Sequence, residues 1–241
     1  IITAPSRYVI NQMSKYCPFK KAIYISNGID IECFKQFDSF EKLKSDYPGY
    51  NKQSFIYVGR LGREKSIDVI IRALAEVYKK NSNIKLFIIG HGPDENNLKA
   101  LTEEFKLTKN VFFTGKIGNK VLIKKGFLQY ARAFVTASKT ENQPMTILEA
   151  IACGAPLILP YEKGVNELLH ENGLFFKTDN HTELAKKMLL LSGNDMLYKQ
   201  FKKKSLELSF SYDGKLLAKK FEQIYLKAVN KKKQKIFNRN N

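Results

Sequence analysis

Two pairs of ionisable residues have the types and spacing for chemistry on an anion that carries hydroxyl groups. Arg60 and Lys65 stand five apart in Gly59-Arg60-Leu61-Gly62-Arg63-Glu64-Lys65, ahead of a helical pattern. Both can reach one anion, and the N-terminus of the following helix adds partial positive charge. Glu141 and Glu149 stand eight apart in Ser138-Lys139-Thr140-Glu141-Asn142-Gln143-Pro144-Met145-Thr146-Ile147-Leu148-Glu149-Ala150. In one continuous helix they would lie about 12 Å apart along the axis and about 80° apart around it. A glycosidase pair instead needs carboxyls roughly 5–9 Å apart across a bond. Pro144 breaks the register, which puts Glu141 in a loop and Glu149 one turn into a helix starting near Pro144–Thr146. The free amides of that start can hold phosphate, Glu149 can accept from ribose hydroxyls, and Glu141 from sugar hydroxyls. Taken singly, each feature also fits a plain surface: loop cations, a solvated acid and a helix N-terminal acid. The GxxxxGK[ST] phosphate loop is absent.

These residues need elements to position them. Short, nearly continuous apolar runs occur at Ala22–Ile25, Phe55–Val58, Lys85–Ile89, Val111–Phe113, Ala133–Val135, Pro156–Leu159 and Leu174–Phe176, as strands buried on both faces of a parallel sheet require. Helical spacing separates them. Ile67, Ile70, Ile71, Leu74, Val77 and Tyr78 form one stripe, and Leu98, Leu101 and Phe105 another. Asn180 with Glu183 reads as a capping box that opens a helix through Leu191. The alternation predicts an α/β fold, a Rossmann-like parallel sheet with helices on both faces and right-handed crossovers. Ligands of such sheets bind at the carboxyl ends of the strands. Gly90-His91-Gly92-Pro93 and Thr114-Gly115-Lys116-Ile117 follow neighbouring strands there, where glycine would let backbone approach a flat nucleobase. Lys44–Gln53 reads as a loop, Tyr212–Val229 as a last amphipathic helix, and the chain from Lys231 as disordered.

Composition narrows the classes. The chain has 241 residues, 44% hydrophobic and 12% aromatic, enough for a core and incompatible with wholesale disorder. No run approaches the roughly 20 apolar residues of a membrane-spanning helix. The opening Ile1-Ile2-Thr3-Ala4-Pro5 lacks the regions of a signal peptide and an initiator Met, and reads as the continuation of a longer chain. Cys17, Cys33 and Cys153 contain no CxxC, which favours a reducing cytoplasm over a disulfide framework. The net charge is +18, and residues 202–241 hold twelve Lys/Arg against three acids. That cluster suits an anionic membrane surface, nucleic acid or a plain solvated helix face. Lysine far outnumbers arginine, the better reader of bases and phosphates, which argues against specific nucleic-acid readout.

Val58-Gly59-Arg60-Leu61 with Lys65, Gly90-x-Gly92-Pro93, the Glu141-x7-Glu149 pair and Ala152-Cys153-Gly154-Ala155-Pro156 occur in one order. The combination resembles the C-terminal, donor-binding domain of a retaining glycosyltransferase of family 4, with the GT-B fold, over roughly residues 1–229. Thr3-Ala4-Pro5-Ser6 and Ser26-Asn27-Gly28-Ile29-Asp30 resemble that family's crossover from its N-terminal domain. The resemblance implies a crossover segment and N-terminal remnant over 1–43 and a donor-binding domain over 44–211. A terminal helix over 212–230 would pack towards a missing N-terminal acceptor domain, with a basic tail over 231–241. It implies that Arg60 and Lys65 bind the donor diphosphate and stabilise the leaving group without metal. Glu141 would contact the transferred sugar, Glu149 the ribose, and the amides of Met145 and Thr146 phosphate or sugar. Backbone near Lys116, Ile117 and Gly90 would face the base, and Gly59 would also contact the donor. No cofactor is implied beyond the donor itself, a UDP-sugar first and a GDP-sugar second.

The implied activity is transfer of a hexose, with retention of configuration, to a cell-surface glycan or glycolipid. The enzyme would be cytoplasmic or peripheral on the inner face of the plasma membrane. Two departures from the family pattern bear on this. Asn142 replaces the usual small residue after the first glutamate, which puts the sugar's identity in doubt. Ser66 replaces the glycine after Lys65, where a serine is expected to cap or hydrogen-bond. His91, His170 and His181 read as turn or surface residues, and Cys153 as packed core. The rival readings are a non-catalytic nucleotide or polyanion (nucleic-acid) binding module and, less well matched, an epimerase or a phosphorylase on the same fold. A phosphorylase would want a pyridoxal-bearing lysine that the sequence does not announce.

Overall fold

The apolar runs pair as strands because each can bury both faces. The computed structural model describes residues 1–16, 19, 21–139 and 141–237; Cys17, Thr140 and the tail from 238, including Arg239, lie outside it. Eight strands alternate with nine helices among the described residues: β1 Ile2–Ala4, α1 Arg7–Tyr16, β2 Ala22–Tyr24, α2 Phe40–Asp46, β3 Ser54–Val58, α3 Ile67–Tyr78, β4 Lys85–Ile89, α4 Glu95–Glu104, β5 Val111–Gly115, α5 Asn119–Lys125, β6 Ala133–Val135, α6 Met145–Ala152, β7 Leu157–Pro160, β8 Gly173–Phe176, α7 His181–Ser192, α8 Asp195–Ser209 and α9 Gly214–Phe237. Among these helices, none is long and apolar enough to cross a membrane.

Six strands form one parallel sheet in the order β5-β4-β3-β6-β7-β8, and β1 and β2 form a separate parallel pair. Alternation along the central strand divides the core. Phe55 and Tyr57 pack with Ile70, Leu74 and Leu184 under α3 and α7, while Ile56 packs with Phe87, Phe134, Ile147 and Ile151 under α6. Both faces of the sheet are therefore covered, as a parallel sheet requires. The strand order runs outward in two directions from β3 and β6. Consecutive crossovers thus leave on opposite faces and open a crevice at the carboxyl ends of these two strands.

The small β1–α1–β2 unit is held to the sheet domain by side chains distant in sequence. The Glu167 carboxylate accepts from the amides of Arg7 (2.9 Å) and Tyr8 (2.8 Å) and so caps α1. The segment around Ile29 is stitched to the start of α9, with the Ile29 amide donating to the Tyr212 carbonyl (2.9 Å) and the Gly214 amide to the Ile29 carbonyl (2.8 Å).

Three expectations need correction. The loop expected over Lys44–Gln53 starts later, because α2 runs to Asp46. Ser39 caps this helix by accepting from the Lys42 amide (3.2 Å), and Lys125 holds Asp46 at 2.5 Å. These contacts replace the apolar stripe that the sequence lacks there. The chain from Lys231 was expected to be disordered, yet α9 continues to Phe237; lysine and glutamine are good helix formers and no Pro or Gly interrupts them. The capping box at Asn180 is only half formed. Asn180 accepts from the Glu183 amide (2.9 Å), but Glu183 accepts from the Lys177 amide (2.9 Å).

Ser66 opens α3 in the left-handed region, with φ 48° and ψ 43°, and its side chain makes no capping hydrogen bond. A side chain in that region costs about 1–2 kcal/mol, partly offset by the greater unfolded freedom of glycine. Ser66→Gly is therefore expected to raise stability by about 0.5–1 kcal/mol. Chemical denaturation checks this, and a lower midpoint with unchanged slope contradicts it.

Candidate functional site

The crevice between β3 and β6 collects charge because both strands end in loops with polar residues. A cavity of about 410 Å³ there is lined by Arg60 and Lys65 after β3, and by Glu141 and Pro144–Ile147 after β6. Lys65 Nζ meets Glu141 Oε1 at 2.5 Å, the two side chains being only 21% and 18% exposed. Arg60 is exposed, and among the described residues its guanidinium has no hydrogen-bonding or ion-pair partner. Its backbone is fixed from below, where the Tyr57 hydroxyl donates to the Arg60 carbonyl (2.9 Å). Burial, and then the negative charges of Glu141 and Glu64, push the Tyr57 pKa well above its ordinary value, so the hydroxyl keeps its donor proton. Pro144 precedes the first turn of α6 in extended conformation, and the first helical bond is from the Ile147 amide to the Pro144 carbonyl (3.1 Å). The amides of Met145 and Thr146 thus stand ahead of the helix ladder at the wall of the cavity.

On one side the cavity shares Gly59 and Arg60 with a hollow of about 700 Å³ that also takes in Gly90–Pro93, Lys116 and Ile117. On the other it shares Met145 with a hollow of about 750 Å³ that contains Glu149, Asn119 and residues between Gly28 and Asp38. The residues singled out in the sequence therefore fall into three adjoining spaces. Arg60, Lys65, Glu141, Met145 and Thr146 meet in the centre, Gly59, Gly90, Lys116 and Ile117 lie to one side, and Glu149 lies to the other. Glu149 is largely buried in the second turn of α6 and accepts from Asn119 Nδ2 (2.8 Å). Burial raises its pKa above the ordinary carboxylate value, and the Asn119 bond offsets part of the rise.

Two of the glycines have a role in loop packing that the sequence did not show. Gly90 has φ +147°, and a Cβ there would sit 1.8 Å from the Gly59 carbonyl oxygen; at Gly92 it would sit 2.3 Å from that of Leu61. These positions are bare so that two loops can pack on each other. The Leu61 amide donates to the His91 carbonyl (3.0 Å), and the Asp94 amide to the Leu61 carbonyl (3.0 Å). The close approach sets Arg60 in place. Of the histidines, His91 lines the side hollow, His170 contacts the Glu167 carbonyl (2.8 Å) and His181 contacts Glu76 (3.1 Å). Asn142 is exposed beside Glu141, and Cys153 is buried in the core beneath α6.

Two residues escaped sequence reasoning. Asn119 orients Glu149 from 30 positions away. Gln143 ties the Glu141 loop to the segment after β2: its Oε1 accepts from the Asn27 amide (2.7 Å) and its Nε2 donates to Ser26 Oγ (2.7 Å). The only trace of this in sequence is a glutamine within Glu-Asn-Gln-Pro and a polar Ser-Asn before Gly28. Among the described residues there is no group of three or more His, Cys, Asp or Glu that could hold a metal ion.

The family described as glycosyl transferases group 1 matches residues 39–207, a span that includes the whole central cavity. The chain belongs to this family. It is 28% identical over 239 residues to the alpha-monoglucosyldiacylglycerol synthase of Acholeplasma laidlawii, covering 96% of this chain and 59% of that protein. It is 26% identical over 235 residues to the synthase of the same name from Streptococcus pneumoniae, covering 95% and 52%. The chain thus spans little more than half the length of these relatives. Its fold is shared with Anabaena HepE, solved in complex with UDP, at a TM-score of 0.83 and 16% identity over 94% of this chain and 64% of that one. The sheet domain is accordingly a Rossmann-like GT-B half-domain, as expected from the sequence.

Two substitutions test the local chemistry. Gln143→Met removes the partners of a backbone amide and a buried hydroxyl, and is expected to cost about 1–3 kcal/mol and to speed hydrogen exchange first at residues 24–30 and 138–146. Uniform exchange with an unchanged denaturation midpoint would contradict the tie. For Glu149, a raised folded-state pKa means that ionisation opposes folding above the unfolded pKa. Glu149→Gln is therefore expected to raise the melting temperature at pH 7, with the gain vanishing as pH falls through the carboxylate range. A wild type that is the more stable protein at pH 7 would overturn that assignment.

Proposed function

We propose that this chain is the C-terminal, donor-binding half of a retaining glycosyltransferase, and that the whole protein moves a hexose from a nucleotide diphosphate sugar to a cell-surface glycan or glycolipid. The observation that carries the reading is the meeting of Arg60, Lys65 and the first amides of α6 around one crevice, with Glu141 opposite. A diphosphate fits that set: two cations and a helix N-terminus share its charge and stabilise it as it leaves. Glu141 then accepts from hydroxyls of the sugar. Glu149, with one oxygen held by Asn119, offers the other to the ribose. The hollow beside Gly90, Lys116 and Ile117 receives the base. UDP is the first choice of nucleotide, supported by the UDP complex of HepE, and GDP the second.

The acceptor half of the cleft belongs to an N-terminal domain ahead of this chain, and attack on the same face as the leaving group accounts for retention. The two curated relatives are named for glucosylated diacylglycerol, which supports a lipid among the candidate acceptors. With the lysines of α8 and α9, it also supports a cytoplasmic enzyme peripheral on the inner face of the plasma membrane.

Charge-assisted hydrogen bonds contribute about 1.5–3 kcal/mol each. Arg60→Ala and Lys65→Ala are thus each expected to weaken UDP-glucose binding at least tenfold in calorimetry, with heparin binding intact. Unchanged UDP-glucose affinity in both variants, or parallel loss of heparin binding, favours the polyanion-binding module instead.

A further inference from the structure

The turn between β7 and β8 meets the loop that carries Glu141 at a point where no side chain fits. Gly164 has φ +88°, and a Cβ there would sit 2.6 Å from the Glu141 carbonyl oxygen, 3.1 Å from that of Asn142 and 3.3 Å from Cδ1 of Tyr8 in α1. One bare residue is thus wedged between the Glu141 loop and the first helix. The two sides of the contact differ in stiffness. On the turn side, the Tyr161 amide donates to the Phe176 carbonyl (2.8 Å), the Asn166 amide to the Glu162 carbonyl (3.0 Å) and Thr178 Oγ1 to Glu162 Oε1 (2.6 Å). Val165 and Leu168 are buried in the core with Ile147 and Ile151, and Glu167 caps α1. On the other side Glu141 is half-buried and Asn142 exposed. A packed core resists displacement more than an exposed loop. Pressure at this contact is therefore relieved by the loop and not by the turn.

We propose that Gly164 is a positioning residue: its backbone is the backstop that sets how far Glu141 stands into the crevice, and so how tightly the transferred sugar is held. The inference rests on the reading of Glu141 as the carboxylate that contacts the sugar. Gly164 is not among the residues lining the crevice. A methyl group added there acts on the sugar only through Glu141, while Arg60 and Lys65, on the β3 side, keep their hold on the diphosphate.

The test is calorimetry of the 241-residue chain with UDP-glucose and with UDP, because the ratio of the two affinities reads the sugar alone. Gly164→Ala is expected to lower that ratio about fivefold, a large part of one hydrogen bond to a charged group, and to leave UDP affinity nearly unchanged. Val165→Ala withdraws core support beneath Gly164 without adding an atom. It is expected to lower the ratio about threefold, and it reads the backstop should Gly164→Ala fail to fold. Gly126→Ala is the matched control, with a φ of +79° and the Tyr130 ring as its neighbour. It is expected to lower the melting temperature and leave the ratio alone. In a Glu141→Ala background, Gly164→Ala should have no further effect on the ratio. An unchanged ratio in Gly164→Ala and Val165→Ala, an equal fall in Gly126→Ala, or a further fall without Glu141 overturns the proposal. If Glu141→Ala itself leaves the ratio unchanged, the sugar-contacting role of Glu141 fails and the proposal with it; a fall in Glu141→Ala without one in Gly164→Ala sinks the backstop alone.

Discussion

The arrangement depends on one ion pair, Lys65 with Glu141, drawn across the gap where strand order reverses. The two residues are 76 positions apart in sequence and come from different halves of the sheet. Only the reversal between β3 and β6 brings them together, and only there do crossovers leave on opposite faces and keep the space open. The pair is mostly shielded from water, so its attraction is offset by the cost of desolvating both ends. On the proposed function, a more highly charged anion takes the place of Glu141 beside Lys65. Arg60, unpaired beside it, supplies attraction that no described residue of the protein satisfies.

Three devices position the residues around that pair. Loop-on-loop packing through Gly59, Gly90 and Gly92 and the Tyr57 hydroxyl fix the backbone of Arg60. Asn119 steers Glu149. Gln143 fastens the Glu141 loop to Ser26 and Asn27, and Glu167 fastens α1 to the same domain. The last two tie the β1–α1–β2 unit and the segment after it to the sheet domain and the loop that carries Glu141. Rigid elements carry the groups, and side-chain hydrogen bonds set their relative position.

Much of this was legible in the sequence, and for a physical reason. Strands buried on both faces must be continuously apolar, so β3, β4 and β7 announce themselves. The stripe of α3 does the same, as does the Asn180 cap of α7. The positions of Arg60, Lys65, Glu141 and Glu149 after strands or in the first turns of α6 followed from Pro144 and from strand ends. What stayed hidden rests on partners far away in sequence. Arg132 is buried just ahead of β6, at the end of the sheet opposite the crevice, because it donates to the Leu191 and Ser192 carbonyls at the end of α7 and pairs with Asp195 at 2.6 Å. α8 buries Phe201, Ser205 and Ser209 rather than an apolar stripe, so no periodicity marked it. The glycines were legible as necessary and not as to purpose, since sequence does not reveal whether a ligand or another loop fills the space. Ser66 kept a left-handed turn that its residue type does not advertise.

On the proposed function, one diphosphate replaces Glu141 as the main anion facing Lys65. A crystal structure of the chain with UDP-glucose tests it most directly. The phosphates are expected within hydrogen-bonding distance of Arg60, Lys65 and the Met145 and Thr146 amides, with the glucose against Glu141. A nucleotide bound elsewhere, with the Lys65–Glu141 pair intact and Arg60 untouched, would contradict it.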